Sequence, residues 1–308
     1  MNSKIIEAVK ILKNGDLVIF PTETVYGLGV DATNDNAIKK LYKIKNRPIN
    51  NPIICHFKSI KEIEINFKIN EIAYELANNF WPGPMTLILE KKITSKISPL
   101  ISNNQKFVGC RIPKNTIAQQ LLEKLDFPIA APSANISTKL SSTKISHLSN
   151  SLKKNVFHID GGNSFYGLES TVINITQDKA QILRLGSITY EKIKKIIPNT
   201  IINNTELNYL SPGLRKKHYS PNKPIRINIK KVLDGEALLN FGKNTLKSNK
   251  IALNLSLNGD LKEASKNLYD YLHILDNANC IGIAVAPIPN KDLGKTINDR
   301  LLRASSNN

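Results

Sequence analysis

From Pro198 to Pro224 the chain reads PNTIINNTELNYLSPGLRKKHYSPNKP, a polar run interrupted by prolines and too irregular for a helix or a strand. Proline removes a backbone donor and fixes φ, so no ladder of hydrogen bonds passes through such a stretch. A loop of this length is a linker or a functional segment. It divides the 308 residues into two unequal blocks, each of which must bury a core of its own. The expected organisation is a first domain over residues 1–200, a linker over 201–224 and a small second domain over 225–308.

In the first block, Ile5, Ile6, Val9 and Leu12 make one face of a short helix that Asn14-Gly15 ends before the strand DLVIF. NDNAIKKLYKIKNRP predicts a second helix, with Asn34 or Asp35 as its cap and Pro48 as its stop. NPIICHF returns as a strand, INEIAYELANNFWPG as a helix and PMTLILEKK as a strand. KFVGCRIP, FPIAAPSAN, NVFHIDGG, STVINIT and AQILRLGS are further strands bounded by Gly, Pro and Asn. Several of these follow one another with no helix between, so the sheet should be mixed rather than purely parallel. In the second block, IALNLSLNG, LKEASKNLYDYLHILDNA, CIGIAVAP and GKTINDRLLRAS predict a small α/β unit. The fold class is α/β throughout.

The formal charge of +18 suits a polyanionic partner. It is also what a chain crowded with Lys, Ile and Asn throughout would carry from composition alone. Cys55, Cys110 and Cys280 are too far apart for a zinc knuckle or a disulfide framework, and fit reduced, cytoplasmic thiols. Lys4, Lys10 and Lys13 interrupt the apolar residues of the amino terminus, unlike a secretory leader, and no run reaches the 18 or so apolar residues of a membrane span.

The stretch FPTETVYGLGVDA crowds Thr22, Thr24 and Tyr26 around Glu23, where ordinary turn chemistry would ask for Gly, Asn or Asp. Lys45 and Arg47 come just before Pro48 at a helix-to-strand turn, and could grip a phosphate or simply complete a solvated helix end. His56 stands on an apolar strand as a core histidine or a catalytic one. Ser133 and Asn135 in AAPSANIS could meet a ligand or cap a helix. Arg111 in GCRIP and Arg184 in ILRLGS are arginines inside apolar strands, and each needs either an anionic ligand or a structural carboxylate. GLEST repeats the grammar of the opening: glycine, glutamate, then two hydroxyls before a strand. No G-x-x-x-x-G-K-[ST] loop, G-x-S-x-G elbow or H-E-x-x-H pair is present, so a bound nucleotide would be held by scattered strand-end side chains.

In this order, FPTETVYGLGVDA, KIKNRPINNPIICH, WPGPMTLIL, GCRIP, APSANIS, GLESTVI and ILRLGS resemble the YrdC-like domain of threonylcarbamoyl-AMP synthases. YLSPGLRKKHYSP and INDRLLRAS resemble the linker and the end of the longer, two-domain members. The resemblance implies a twisted mixed sheet followed by a smaller Rossmann-like domain. It implies a reaction in which L-threonine, bicarbonate and ATP give L-threonylcarbamoyl-AMP and pyrophosphate, for other proteins that modify tRNA. Thr24, His56, Arg111 and Ser170 would then hold the amino acid. Lys45, Arg47, Asn51, Ser133, Asn135, Ser141 and Arg184 would face ATP, with Lys45 and Arg47 catalytic and Tyr219 reaching in from the linker. The linker, with Arg215, Lys216, Lys217, His218 and Tyr219 at its centre, would fold over the nucleotide as a lid. Magnesium would share the phosphate charge, although no carboxylate cluster identifies its ligands. Thr138 and Ser142 depart from the family, which often has Gly and Pro there.

Two other readings compete. The positive charge would suit an RNA-binding or ribosome-assembly module and direct contact with tRNA, yet only 6% of the chain is aromatic and no aromatic-basic alternation stands out. A carbamoyl-transfer domain of a hydrogenase-maturation protein would need acylphosphatase-like and zinc-finger segments that the sequence lacks.

Overall fold

The computed structural model describes residues 2–175, 179–202 and 218–305; Arg215, Lys216 and Lys217 lie outside them. The first block forms strands β1 (Val18–Phe20), β2 (Gly27–Asp31), β3 (Ile54–His56), β4 (Phe67–Lys68), β5 (Met85–Lys91), β6 (Phe107–Arg111), β7 (Ile129–Ala130), β8 (Phe157–His158), β9 (Thr171–Ile175), β10 (Ala180–Arg184) and β11 (Ile201–Ile202). Its helices are α1 (Asn2–Lys13), α2 (Asp35–Ile44), α3 (Ile60–Asn66), α4 (Glu71–Phe80), α5 (Thr116–Glu123), α6 (Asn150–Asn155) and α7 (Tyr190–Ile196). The second block adds β12 (Ile225–Arg226), β13 (Glu236–Asn240), β14 (Ala252–Asn254), α8 (Leu261–Asn277), β15 (Gly282–Val285) and α9 (Leu293–Ser305).

All the strands of the first block join one sheet, ordered β11-β10-β9-β5-β6-β3-β7-β2-β1-β8 with β4 beside β5. It is mixed, as the strand-to-strand connections require: β3 and β6 are parallel while β5 and β6 are antiparallel. Side chains alternate across it. Ile19 joins the core under α2 and α4, whereas Val18 and Phe20 pack with α1 and α5 on the other face. The four strands of the second block make a separate, all-parallel sheet ordered β12-β15-β13-β14.

Local chemistry explains most boundaries. Asn34 caps α2 by accepting from the Asn36 and Ala37 amides, and Asp260 caps α8 through Lys262 and Glu263. Helix α2 stops at Ile44, before the expected Pro48, because Asn46 takes a left-handed φ of 49°. GLGVD, read from sequence as part of a bend, is strand β2, antiparallel to β1. Its Gly29 has no room for a side chain: a Cβ there would lie 2.7 Å from Ile129 and 2.8 Å from the Phe20 ring. FPIAAPSAN yields only two strand residues, since Pro128 and Pro132 cannot donate to a ladder.

The two blocks share a core. Val25, Leu140 and Leu168 of the first pack into one buried cluster with Tyr269, Leu272 and Ile297 of the second. Polar contacts join them as well: Lys144 meets Asp270 at 2.5 Å and Thr296 donates to the Gly186 carbonyl at 3.1 Å. No helix among the described residues is long and apolar enough to cross a membrane.

Candidate active site

The turn between β1 and β2, the strands β3 and β6, the segment after β7, the loop before β9, the end of β10 and residues 218–219 of the linker converge on one cavity. It is lined by Thr22 and Thr24, Arg47, His56 and Arg111, Ser133, Glu169 and Ser170, Arg184, and His218 and Tyr219. Its volume is about 60 Å³, small beside the roughly 300 Å³ or more of a typical ligand pocket.

One end of the cavity is a chain of hydroxyls that terminates on an arginine. Thr22 Oγ1 donates to the Val25 carbonyl at 2.6 Å and lies 2.8 Å from Thr24 Oγ1, which accepts from Arg111 Nη1 at 3.0 Å. Arg111 also donates to Glu23 at 2.6 Å and to the Gly83 carbonyl at 3.2 Å. Of the two alternatives for Arg111, an anionic ligand or a structural carboxylate, the structure supplies the carboxylate, Glu23, and Arg111 also lines the cavity. Glu23 in turn accepts from the Lys114 and Asn115 amides at 3.0 and 3.3 Å. His56 is paired in register with Arg111, and burial, reinforced by that positive charge, pushes its imidazole down to about 3.

The other end gathers Arg47, Arg184, Ser133 and the His218-Tyr219 pair. Arg184 gives Nε and Nη2 to the Ser170 carbonyl at 3.2 and 2.8 Å, and Nη2 also reaches Ser170 Oγ at 3.1 Å; Thr86 meets the same hydroxyl at 2.8 Å. Arg47 donates to the Asn51 and Pro52 carbonyls at 3.1 and 2.7 Å, so it stiffens its own loop as well as lining the cavity. Among the described residues no hydrogen-bond partner meets His56 Nδ1, His218 Nδ1 or the Tyr219 hydroxyl, although all three are buried. Burial above all, opposed by Glu169 and reinforced by Arg47, Arg300 and Arg184, holds His218 near 3 and therefore neutral.

Four of the sequence-predicted residues stand one layer behind this wall. Lys45 is fully buried and donates to the Ser133 carbonyl at 2.5 Å and to the Asn135 carbonyl. Burial, with Arg47 adding to it, drives its amine well below the usual lysine range. Asn135 holds the turn after β7 through the Ile136 and Lys139 carbonyls at 3.0 and 2.8 Å and accepts from Ser133. Ser141 donates to Glu169 at 2.6 Å, and Asn51 contributes its carbonyl to Arg47.

Sequence reasoning passed over Thr22, Glu169, Tyr269 and Arg300 as site residues. Glu169 accepts from Arg300 Nε at 2.9 Å and from Tyr269 at 2.9 Å, besides Ser141. Burial opposes its charge, but Arg300, Arg184 and the hydrogen bonds from Ser141 and Arg300 outweigh burial and keep it near 2. The shared pattern of TET and GLEST was the available signal, because each supplies the glutamate that matches a buried arginine.

Glu169 on the cavity wall and Glu23 behind Arg111 are thus already satisfied by cations and N–H or O–H donors. Among the described residues no group of three or more His, Cys, Asp or Glu could hold a metal ion. The side chains do not fit a resident magnesium site. They do fit an anion held by several arginines.

Comparison with known proteins accounts for both domains. The family described as "Telomere recombination", the Sua5, YciO and YrdC proteins, matches residues 10–186, and the "Threonylcarbamoyl-AMP synthase, C-terminal domain" matches residues 188–306. The chain belongs to the threonylcarbamoyl-AMP synthase family. It is 34% identical to the synthase of Pyrococcus abyssi (strain GE5 / Orsay), an alignment covering 98% of this chain and 94% of that one. It is likewise 34% identical to the synthase of Bacillus subtilis (strain 168), over 98% of this chain and 93% of the relative. The crystal structure of P. abyssi Sua5 complexed with L-threonine superposes with a TM-score of 0.90 at 32% identity, covering 99% of this chain and 95% of that one. Membership makes the chain a transferase of tRNA modification, an enzyme whose product is an adenylate.

Proposed function

We propose that this cavity binds L-threonine and ATP side by side and joins them, through bicarbonate or carbon dioxide, into L-threonylcarbamoyl-AMP with release of pyrophosphate. The observation that carries this is the cavity's lining, in which the Thr24 hydroxyl is bonded to Arg111 and the Ser170 hydroxyl to Arg184, with Arg47 beside them. The threonine bound in the P. abyssi structure supports an amino-acid site in this fold. Thr24, Ser170, His56 and Arg111 suit the amino acid: two hydroxyls, a neutral imidazole and a guanidinium able to take a carboxylate in a bidentate grip.

The amine of threonine attacks the carbon of carbon dioxide and loses a proton to give a carbamate. A carbamate oxygen then attacks the α-phosphorus of ATP as the bond to pyrophosphate breaks. Negative charge grows on the phosphoryl oxygens, where fixed guanidinium groups stabilise it with no reorganisation. Magnesium, in this reading, enters with ATP as part of the substrate and is held by phosphate oxygens and water. The product passes to proteins that modify tRNA, and the basic surface suits contact with tRNA itself. The three unbridged cysteines support a cytoplasmic setting.

The test is pyrophosphate release from ATP with magnesium, with threonine and bicarbonate each omitted in turn. Release that needs all three supports the reading. Equal release without threonine or without bicarbonate refutes it.

A further inference from the structure

Among the described residues the second domain places none on the cavity surface, yet it reaches the wall from behind through Arg300 and Tyr269. Arg300 on α9 is 1% exposed, the largest of the fully buried side chains. Its Nε donates to Glu169 at 2.9 Å, its Nη2 to the Leu185 carbonyl at 2.6 Å, and its Nη1 to Asp299 on its own helix. Its guanidinium also lies 4.7 Å from the centre of the Tyr219 ring, within cation–π range. One group thus ties together the loop before β9, the residue next to Arg184, and Tyr219 of the linker. Tyr269 on α8 supports the same carboxylate, 2.9 Å from Oε1 and 3.1 Å from Oε2.

We propose that Arg300 is a positioning residue through which the second domain sets the nucleotide half of the site, by fixing the Glu169 carboxylate and the Tyr219 ring. The proposal rests on the reading of Arg47 and Arg184 as phosphate ligands. Glu169 is an anion on the wall of a cavity meant to hold another anion. Released from Arg300, it would draw the charge of Arg184, which lies on the same wall, and compete with the phosphates for it. Held between Arg300, Tyr269 and Ser141, its charge is matched from behind. Tyr219 gains from the same contact: its backbone takes a left-handed φ of 59°, a conformation that non-glycine residues keep only when their surroundings enforce it.

The experiment titrates the full chain calorimetrically with MgATP and, separately, with L-threonine, for the parent and for Arg300→Met, Tyr269→Phe and Glu169→Gln. Arg300→Met should weaken ATP by about tenfold or more, as loss of a charge-assisted partner does, while threonine affinity stays within about twofold. Arg300→Lys, which keeps the charge without the fork, should fall between. In the Glu169→Gln background the effect of Arg300→Met should shrink clearly, because the charge to be held is gone. Tyr269→Phe loses one hydroxyl with no change of shape and should shift ATP in the same direction by less; it keeps the test alive if Arg300→Met does not fold. Unchanged ATP affinity, equal loss of both ligands in a folded variant, or an undiminished Arg300→Met effect in the Glu169→Gln background would each overturn the proposal. The assignment of the reaction fails separately, if the parent binds both ligands but releases no pyrophosphate.

Discussion

Two kinds of residue depart from what their surroundings would ordinarily select. Thr138 is a β-branched residue at a φ of 72°, where Cβ crowds the following carbonyl. Its carbonyl accepts from the Ser220 amide at 2.9 Å, anchoring the end of the linker to this turn. Thr138→Gly should relieve that strain at the entropic cost of a glycine and stabilise the fold by roughly 0.5–1 kcal/mol in urea unfolding; a lower midpoint would show that the threonine is not strained. The buried histidines are the second kind. His56 and His218 sit near 3 when folded, whereas in the unfolded chain a histidine titrates near 6.5. Between those values the unfolded state binds more protons, so stability is complete above about pH 6.5 and falls as the solution is acidified. Each histidine should contribute about 1.4 kcal/mol of loss per pH unit below 6.5. Unfolding free energies measured from pH 7.5 to pH 5 should show this slope, shallower in His56→Gln; an unchanged slope in that variant would mean His56 is protonated when folded.

Elements with a strong apolar signal or a cap could be read from the sequence, and those fixed by distant partners could not. LILEK and FVGCR become β5 and β6, and the Asp260 cap with six buried residues along one face makes α8. Helices α3 and α7 run only seven residues each, too short for periodicity to stand out. The site divided in the same way: the motifs named Thr24, Arg111 and Ser170, but the carboxylate of Arg111 lies 88 residues away in sequence and that of Arg300 lies 131 away. No local pattern encodes such pairs. Tertiary approach also explains the glycine of ILRLGS. A Cβ on Gly186 would stand 2.3 Å from the Thr171 amide nitrogen and 2.4 Å from the Ser170 carbonyl carbon, and both are backbone atoms that cannot rotate aside. The end of β10 therefore lies directly on the loop that carries Glu169 and Ser170. Gly186→Ala should cost about 3 kcal/mol in denaturant unfolding by overpacking and should abolish most pyrophosphate release even where the protein remains folded. Parent-like stability and rate would mean that the loop yields freely.

At the scale of the molecule, the question is whether the two sheets form one cooperative unit or two that touch. Interfaces between domains of one chain are often polar and permit relative motion. Here the boundary contains a shared apolar cluster, the buried Glu169–Arg300 pair and the Gly167 backbone pressed on α8, where a Cβ would meet the Ser265 carbonyl oxygen at 2.6 Å. Separating the domains would leave Glu169 and Arg300 without each other, and breaking a buried pair costs about 3–5 kcal/mol. Parting would also expose Leu168, fully buried in the cluster it shares with the second domain. These costs are comparable with the whole stability of a small domain, so the second sheet should not melt while the first stays docked and unchanged. Calorimetry of the parent should accordingly show a single transition. Leu168→Ala removes apolar contact at the junction without touching a charged group, and should cost about 2–5 kcal/mol. That loss should fall on the joint between the sheets, broadening the transition or splitting it in two. It should also weaken ATP more than threonine, because Leu168 precedes Glu169 on the same loop. Two resolved transitions in the parent itself, with Leu168→Ala lowering only one of them, would show that the domains fold independently and that the second domain reaches the site only by contact.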